Sequence, residues 1–417
     1  MGEGLGEKTP IMPVVPRRLP AKQATPGLPK HQGGANTSLL AFFAACATML
    51  SMFLVVTHIA PGAPTDLASL SGADAAVVFE RVGPDAVEVV WQGAASSPPR
   101  GTMFLAHGCN HAATDFFPSS AQCPKCTGLP EETALVGKAR ARGYAVVAVS
   151  SVGRCWSGAA DVPRVKRAID AVVAKNVHLA GKPVFAFGVS SGGAFVGILP
   201  FFTAVDGIIA QISSVRLPKL DNFSLAEELR AQGGRGDFPP VVFSHMARDE
   251  LTGKLIDGAK EYLERMGTPV RITELSPLPI HDGFFAARIH AASGDGLGAV
   301  GVGGAGGAIG AETSAAMAGA LRQADMLDAR GFLAEDPRAS NWRDALEPLA
   351  AADSLQPDKS ALSEVLNVAY ALHEVSADRF DEDVTWLEVK AEEAKAGRLG
   401  VVDAAAGAAA GGAAPAP

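Results

Sequence analysis

The chain has 417 residues, 48% of them hydrophobic, and a formal net charge of −8. That length supplies one full-sized buried core with further elements around it. The mild acidity and the scarcity of Tyr and Trp exclude a nucleic-acid partner that relies on basic patches and stacking platforms.

Residues 1–38 are rich in Pro, Gly and Lys and have the composition of a disordered tail. Residues 39–56 are uncharged and almost wholly apolar, with Phe42, Phe43, Met49, Met52, Phe53, Leu54, Val55 and Val56. With Ile59 and Ala60 the run reaches the roughly 20 residues that span a bilayer. A buried core helix is disfavoured because no polar face interrupts the run. A cleaved signal peptide is disfavoured by the long preceding segment and by Pro61 and Pro64 near the candidate cleavage sites. Residues 39–60 are therefore expected to be an uncleaved signal anchor. Arg17, Arg18, Lys22 and Lys30 precede it, and Asp66 and Asp74 follow it. The positive-inside bias leaves the N-terminus cytosolic and the main domain lumenal or extracellular, in the secretory pathway.

Strand patterns follow at 75–79 and 86–91, joined at Gly83-Pro84. Strand and helix then alternate. Strands are predicted at 102–106, 144–149, 184–187, 205–212, 241–245 and 270–275. Helices are predicted at 131–142, 162–178 and 251–266. This order predicts an α/β fold, a mostly parallel twisted sheet with helices on both faces, over residues 73–292. Gly and Ala dominate 293–320, which reads as a linker or insertion. Residues 321–397 form a C-terminal helical segment, with helices at 360–375 and 381–395. Residues 398–417 read as a disordered tail.

The chemistry-bearing string is Gly188-Val189-Ser190-Ser191-Gly192. It stands between a strand pattern and a helix pattern, so Ser190 occupies a tight turn whose neighbours two residues away have no room for a side chain. Ligands in such sheets bind at the carboxyl ends of the strands. Asp249 follows the strand at 241–245, and His281 follows the last strand. Together they suggest a triad with Ser190 as nucleophile, His281 as general base and Asp249 as its orienting carboxylate. Ser191 is a rival nucleophile, but Val189 stands where its turn needs glycine. His245 and His290 are rivals to His281, and Glu250 and Asp282 to Asp249, which also fits a helix N-cap. Oxyanion donors are expected from the amide of Ser191 and from Gly108 or Cys109 in the loop after the strand at 102–106.

His107, Cys109, His111, Cys123 and Cys126 are close in sequence, and Cys123-Pro-Lys-Cys126 has zinc-like spacing. In an oxidising lumen, disulfides Cys109–Cys155 and Cys123–Cys126 are favoured over zinc at His107, Cys109, Cys123 and Cys126. A redox-active pair lacks thioredoxin context. Asn222-Phe223-Ser224 is a glycosylation sequon on the expected lumenal side, while Asn36-Thr37-Ser38 lies on the cytosolic side.

On Gly188 to Gly193, Asp249 and His281, residues 73–292 resemble the α/β-hydrolase superfamily. The runs His107-Gly-Cys-Asn-His-Ala-Ala-Thr-Asp115-Phe-Phe, Cys123-Pro-Lys-Cys-Thr-Gly-Leu-Pro-Glu131 and Cys155-Trp156-Ser157 resemble a plant and algal group of membrane-anchored hydrolase-like proteins. The superfamily resemblance implies a catalytic triad and no cofactor or metal. It carries no substrate. The expected function is a membrane-anchored serine hydrolase cleaving an ester, thioester or amide of a small-molecule or lipid acyl substrate. The alternative is a non-catalytic binding protein on the same fold.

Overall fold

Short apolar runs separated by helix-forming stretches must build a sheet that is covered on both faces. The computed structural model, which describes residues 76–215, 231, 237–289 and 308–411, contains that sheet. Its strands are β1 Val78–Val82, β2 Val87–Gln92, β3 Gly101–Ala106, β4 Tyr144–Val149, β5 Val184–Val189, β6 Gly207–Gln211, β7 Val241–Met246 and β8 Val270–Leu275. They lie in the order β1-β2-β4-β3-β5-β6-β7-β8. β2 runs antiparallel to β1 and β4, and every other pair is parallel. β3, β4 and β6 are buried along their whole length, which is why they read as unbroken apolar runs.

The helices in chain order are α1 Pro130–Ala141, α2 Gly158–Lys175, α3 Ser191–Val196, α4 Glu250–Arg265, α5 Phe284–Arg288, α6 Ala311–Gln323, α7 Trp342–Leu346, α8 Ala361–Tyr370 and α9 Phe380–Gly411. Side chains alternate across each strand, so Phe104 faces one layer while Met103 and Leu105 face the other. On the first face, α2 presents Val165, Ile169 and Val172 at helical spacing, joined by Phe195 of α3 and by Ile256 and Leu263 of α4. On the second face lie Leu135, Val136 and Ala139 of α1 and Phe380, Val384 and Leu387 of α9. The Phe380 ring meets Phe187 of β5 at 5.8 Å between centroids. Truncating such a buried ring to alanine costs about 3–5 kcal/mol.

The C-terminal region departs from expectation in three places. α6 begins inside the stretch read as a linker. Its Met317, Ala318 and Leu321 form a buried face, and Ala is the best helix former. α8 stops at Tyr370 because Ala371 takes a left-handed conformation (φ 59°, ψ 54°), so 371–375 is a loop. α9 runs past the predicted 381–395 into the stretch read as a disordered tail. Its apolar face completes the second covering layer of the sheet, and the helix continues to Gly411. Between β8 and α9, α5 to α8 enclose a third apolar cluster around Phe285, Trp342, Leu362 and Leu366.

The expected tail at 1–38, the anchor at 39–60, Asn222, His290 and most of the 293–320 stretch lie outside the described residues. Among the described residues, no helix is long and apolar enough to cross a membrane.

Candidate active site

The sharp turn after β5 is imposed by close backbone approach. A Cβ on Gly188 would stand 2.2 Å from the carbonyl oxygen of Gly192, and one on Gly192 would stand 2.3 Å from that of Ala106. Only glycine fits at either place. Ser190 at the apex has φ 51°, ψ −113°, a left-handed φ that is strained for a side-chain-bearing residue. Its amide donates to the Gln211 carbonyl at 2.9 Å, which holds the turn against β6.

Asp249 follows β7 as the N-cap of α4. Its carboxylate accepts from the Thr252 amide at 3.0 Å and from the Thr252 hydroxyl at 2.7 Å. Burial disfavours its charge, but hydrogen bonds from His373 and Thr252 outweigh burial and hold the carboxyl below its ordinary range.

The place beside Ser190 and Asp249 expected for His281 is taken by His373. His373 Nδ1–H donates to Asp249 Oδ2 at 2.6 Å, and the Ser190 hydroxyl donates to His373 Nε2 at 3.1 Å. The protonation pattern follows from the carboxylate on one side and the hydroxyl on the other. His281 points elsewhere. It lies in a different cavity of about 560 Å³ between α1 and α5, with Phe284 and Arg288, and its Nδ1 accepts the Gly283 amide at 3.2 Å. The loop after β8 turns into α5 before it can reach Ser190. The chain then passes through α6, α7 and α8 before returning to the strand ends with His373.

That returning loop is fixed on every side. The Arg248 amide donates to the Ala371 carbonyl (3.0 Å), and Arg338 Nη2 donates to the His373 carbonyl (2.7 Å). Gln211, buried at the end of β6, exchanges two hydrogen bonds with the backbone of Ser376. The Ala377 amide donates to Glu131 Oε2 at 2.8 Å. The His373 loop is thus held by α1, by β6, by the turn after β7 and by Arg338.

Gly108 and Cys109 line the cavity above Ser190, which measures about 490 Å³. The Ser191 amide begins α3 and so has no acceptor within that helix. These are the expected oxyanion donors. A disulfide Cys109–Cys155 ties the loop after β3 to the loop after β4, and Cys123–Cys126 closes a second, small loop. The four cysteines proposed as zinc ligands or bridge partners are paired in these disulfides and leave no free thiolate, and both ring nitrogens of His107 are engaged, with Gly108 O and the Ser151 amide. The zinc set is therefore not assembled.

The sequence placed His111 only in the Cys/His cluster and gave no sign of Arg338, Lys359 or Glu374; all four line this cavity together with Asn110, Glu132 and Asp358. The lining mixes these polar and charged side chains with the apolar Val189, Ile212, Val375 and Pro357.

No family model matches the chain, and no curated protein matches it. Solved structures do. Est1E from Butyrivibrio proteoclasticus shares 12% identity over 48% of this chain and 89% of its own, with a TM-score of 0.33. An arylesterase shares 11% identity over 55% of this chain and 88% of its own (TM-score 0.33). A predicted hydrolase from Thermoplasma acidophilum shares 18% identity over 48% and 87% (TM-score 0.31). The chain itself presents a mostly parallel eight-stranded sheet with a serine on a central strand-to-helix turn.

Proposed function

We propose that the protein is a serine hydrolase that cleaves an ester, thioester or amide through an acyl-enzyme. One observation carries the reading: His373 bridges a hydroxyl on a strained turn and a carboxylate at a strand end, at hydrogen-bonding distance from both. In the first half-reaction Ser190 Oγ forms a bond to the acyl carbon, its proton passes to His373 Nε2, and the carbonyl π pair moves onto oxygen. Collapse of that intermediate returns the pair, breaks the bond to the leaving group, and sends the His373 proton to the departing atom. Water repeats the sequence to free the acid. Asp249 keeps His373 in the tautomer that accepts at Nε2 and stabilises the imidazolium.

The polar and charged side chains in the lining of the Ser190 cavity favour a small, polar acyl compound over a long-chain lipid. The two disulfides favour an oxidising compartment, in line with the lumenal placement expected from the apolar run at 39–60. Likeness to the plant and algal group rests on the sequence motifs alone.

The test is labelling with a fluorophosphonate probe. The full chain is expected to label, and Ser190→Ala to abolish it. An unlabelled wild-type protein, or labelling that survives Ser190→Ala, rejects the assignment.

A further inference from the structure

A second ring faces the Ser190 cavity. His111 Nδ1–H donates to Asp115 Oδ2 at 3.1 Å, and Glu132 Oε1 lies 3.9 Å away. Asp115 is held in turn by the Ala112 amide at 3.0 Å. With Nδ1 committed, the opposite edge of the ring, Cδ2 and Nε2, is what remains for the cavity, with Cδ2 on the side of Gly108. A Cβ placed on Gly108 would stand 3.8 Å from His111 Cδ2 and 4.0 Å from the Ser190 Cβ. The free edge of the ring and the nucleophile therefore flank the same glycine, where the Val189 side chain also approaches, its Cγ1 3.9 Å from that Cβ position.

We propose that the Nε2–H of His111 is a third donor to the oxyanion formed when Ser190 attacks, beside the Ser191 amide and the Gly108–Cys109 loop. The proposal rests on the hydrolase reading above. His111 keeps its proton throughout. It donates a hydrogen bond to the oxygen while the π pair resides there, and the bond weakens as the carbonyl re-forms. A charged donor aimed at developing charge in a partly closed site serves better than a neutral one.

The surroundings favour the cation. Burial opposes it, but the Asp115 hydrogen bond and the carboxylates of Glu132, Asp115 and Glu374 outweigh burial and lift the ring to about 9. His107, the other ring nearby, is kept below its ordinary value by burial.

The experiment compares wild-type full chain, His111→Phe and His111→Gln, by rate of fluorophosphonate labelling and by p-nitrophenyl acetate hydrolysis across pH 6 to 10. His111→Phe is expected to lower kcat and the labelling rate about 100-fold, the size of losing one oxyanion donor, with KM nearly unchanged. His111→Gln, which keeps a neutral N–H, should recover part of the loss. Wild-type kcat should fall as pH rises through about 9, and His111→Phe should lack that limb. If His111→Phe does not fold, the glutamine variant and the alkaline limb decide. Undiminished rates in both variants, or an alkaline limb that persists without His111, overturn the proposal while leaving the hydrolase reading intact. A wild-type protein that neither labels nor hydrolyses removes both.

Discussion

Gln211 and Ser376 hold one another by two hydrogen bonds. The Ser376 amide donates to Gln211 Oε1 at 2.8 Å, and Gln211 Nε2 donates to the Ser376 carbonyl at 2.9 Å. Gln211 is 2% exposed, so this pairing is made without competing water. Gln211→Leu leaves two buried backbone groups unpaired, each at about 1–3 kcal/mol. It should lower the denaturation midpoint and also lower kcat, because the loop that carries His373 loses an anchor. Unchanged kcat in a folded variant would show that the remaining anchors suffice.

His373→Ala should reduce kcat by several orders of magnitude, as loss of a triad base does. His281→Ala should leave kcat within about twofold of wild type, since His281 lines another cavity. Parallel assays of the two variants decide which histidine serves Ser190.

Asp383 gives a pH prediction for stability. Burial pushes its carboxyl up to about 6 against the pull of Thr273 and Arg271. A folded value above the unfolded one, about 4, means that its stabilising contribution is complete below pH 4. That contribution is lost as pH rises through 6. Two units correspond to about 3 kcal/mol at most. Asp383→Asn, which keeps an oxygen for the Thr273 hydroxyl, should remove this decline. Urea midpoints of both proteins at pH 4.5 and pH 8 check it, and parallel curves would refute the assignment.

Replacing Cys109 and Cys155 together by Ser should cost about 2–4 kcal/mol, a typical value for one bridge. It should also slow labelling, because the bridge holds the loop that carries the oxyanion donors. Intact mass before and after reduction and alkylation should report two bridges in the oxidised protein. Free thiols at these positions would contradict the pairing.

Ser190 and Asp249 were legible because each follows a strand directly, and the rule that ligands gather at strand ends needs only local patterns. The same rule misled at His281, which stands after β8 but in a loop that leaves the strand ends and enters α5. His373 follows no strand. It follows the left-handed Ala371 at the end of α8, and a helix end has no diagnostic sequence when alanine rather than glycine takes that conformation. A signal was present downstream. Phe380, Val384 and Leu387 recur at helical spacing and cover the sheet. The sequence predicts a helix at 381–395, but the one predicted at 360–375 runs through His373 and hides the loop that carries it. The disulfide pairing was readable because Cys109 and Cys155 follow β3 and β4, which are neighbours. His111 was noticed only as a metal-ligand candidate. Its place opposite Ser190 depends on the 3-10 turn at Ala113–Phe116, whose packing is set by distant residues.

The excursion between β8 and α9 is pinched shut where it leaves and where it rejoins. The Leu278 amide donates to the Ala369 carbonyl at 2.9 Å, and the Arg248 amide to that of Ala371. Apart from Arg338, which reaches back to the His373 carbonyl, polypeptide threaded between those two staples can be lengthened, trimmed or exchanged without carrying the imidazole off its mark. The scaffold thereby separates the machinery of bond cleavage from a region free to diversify in what it admits.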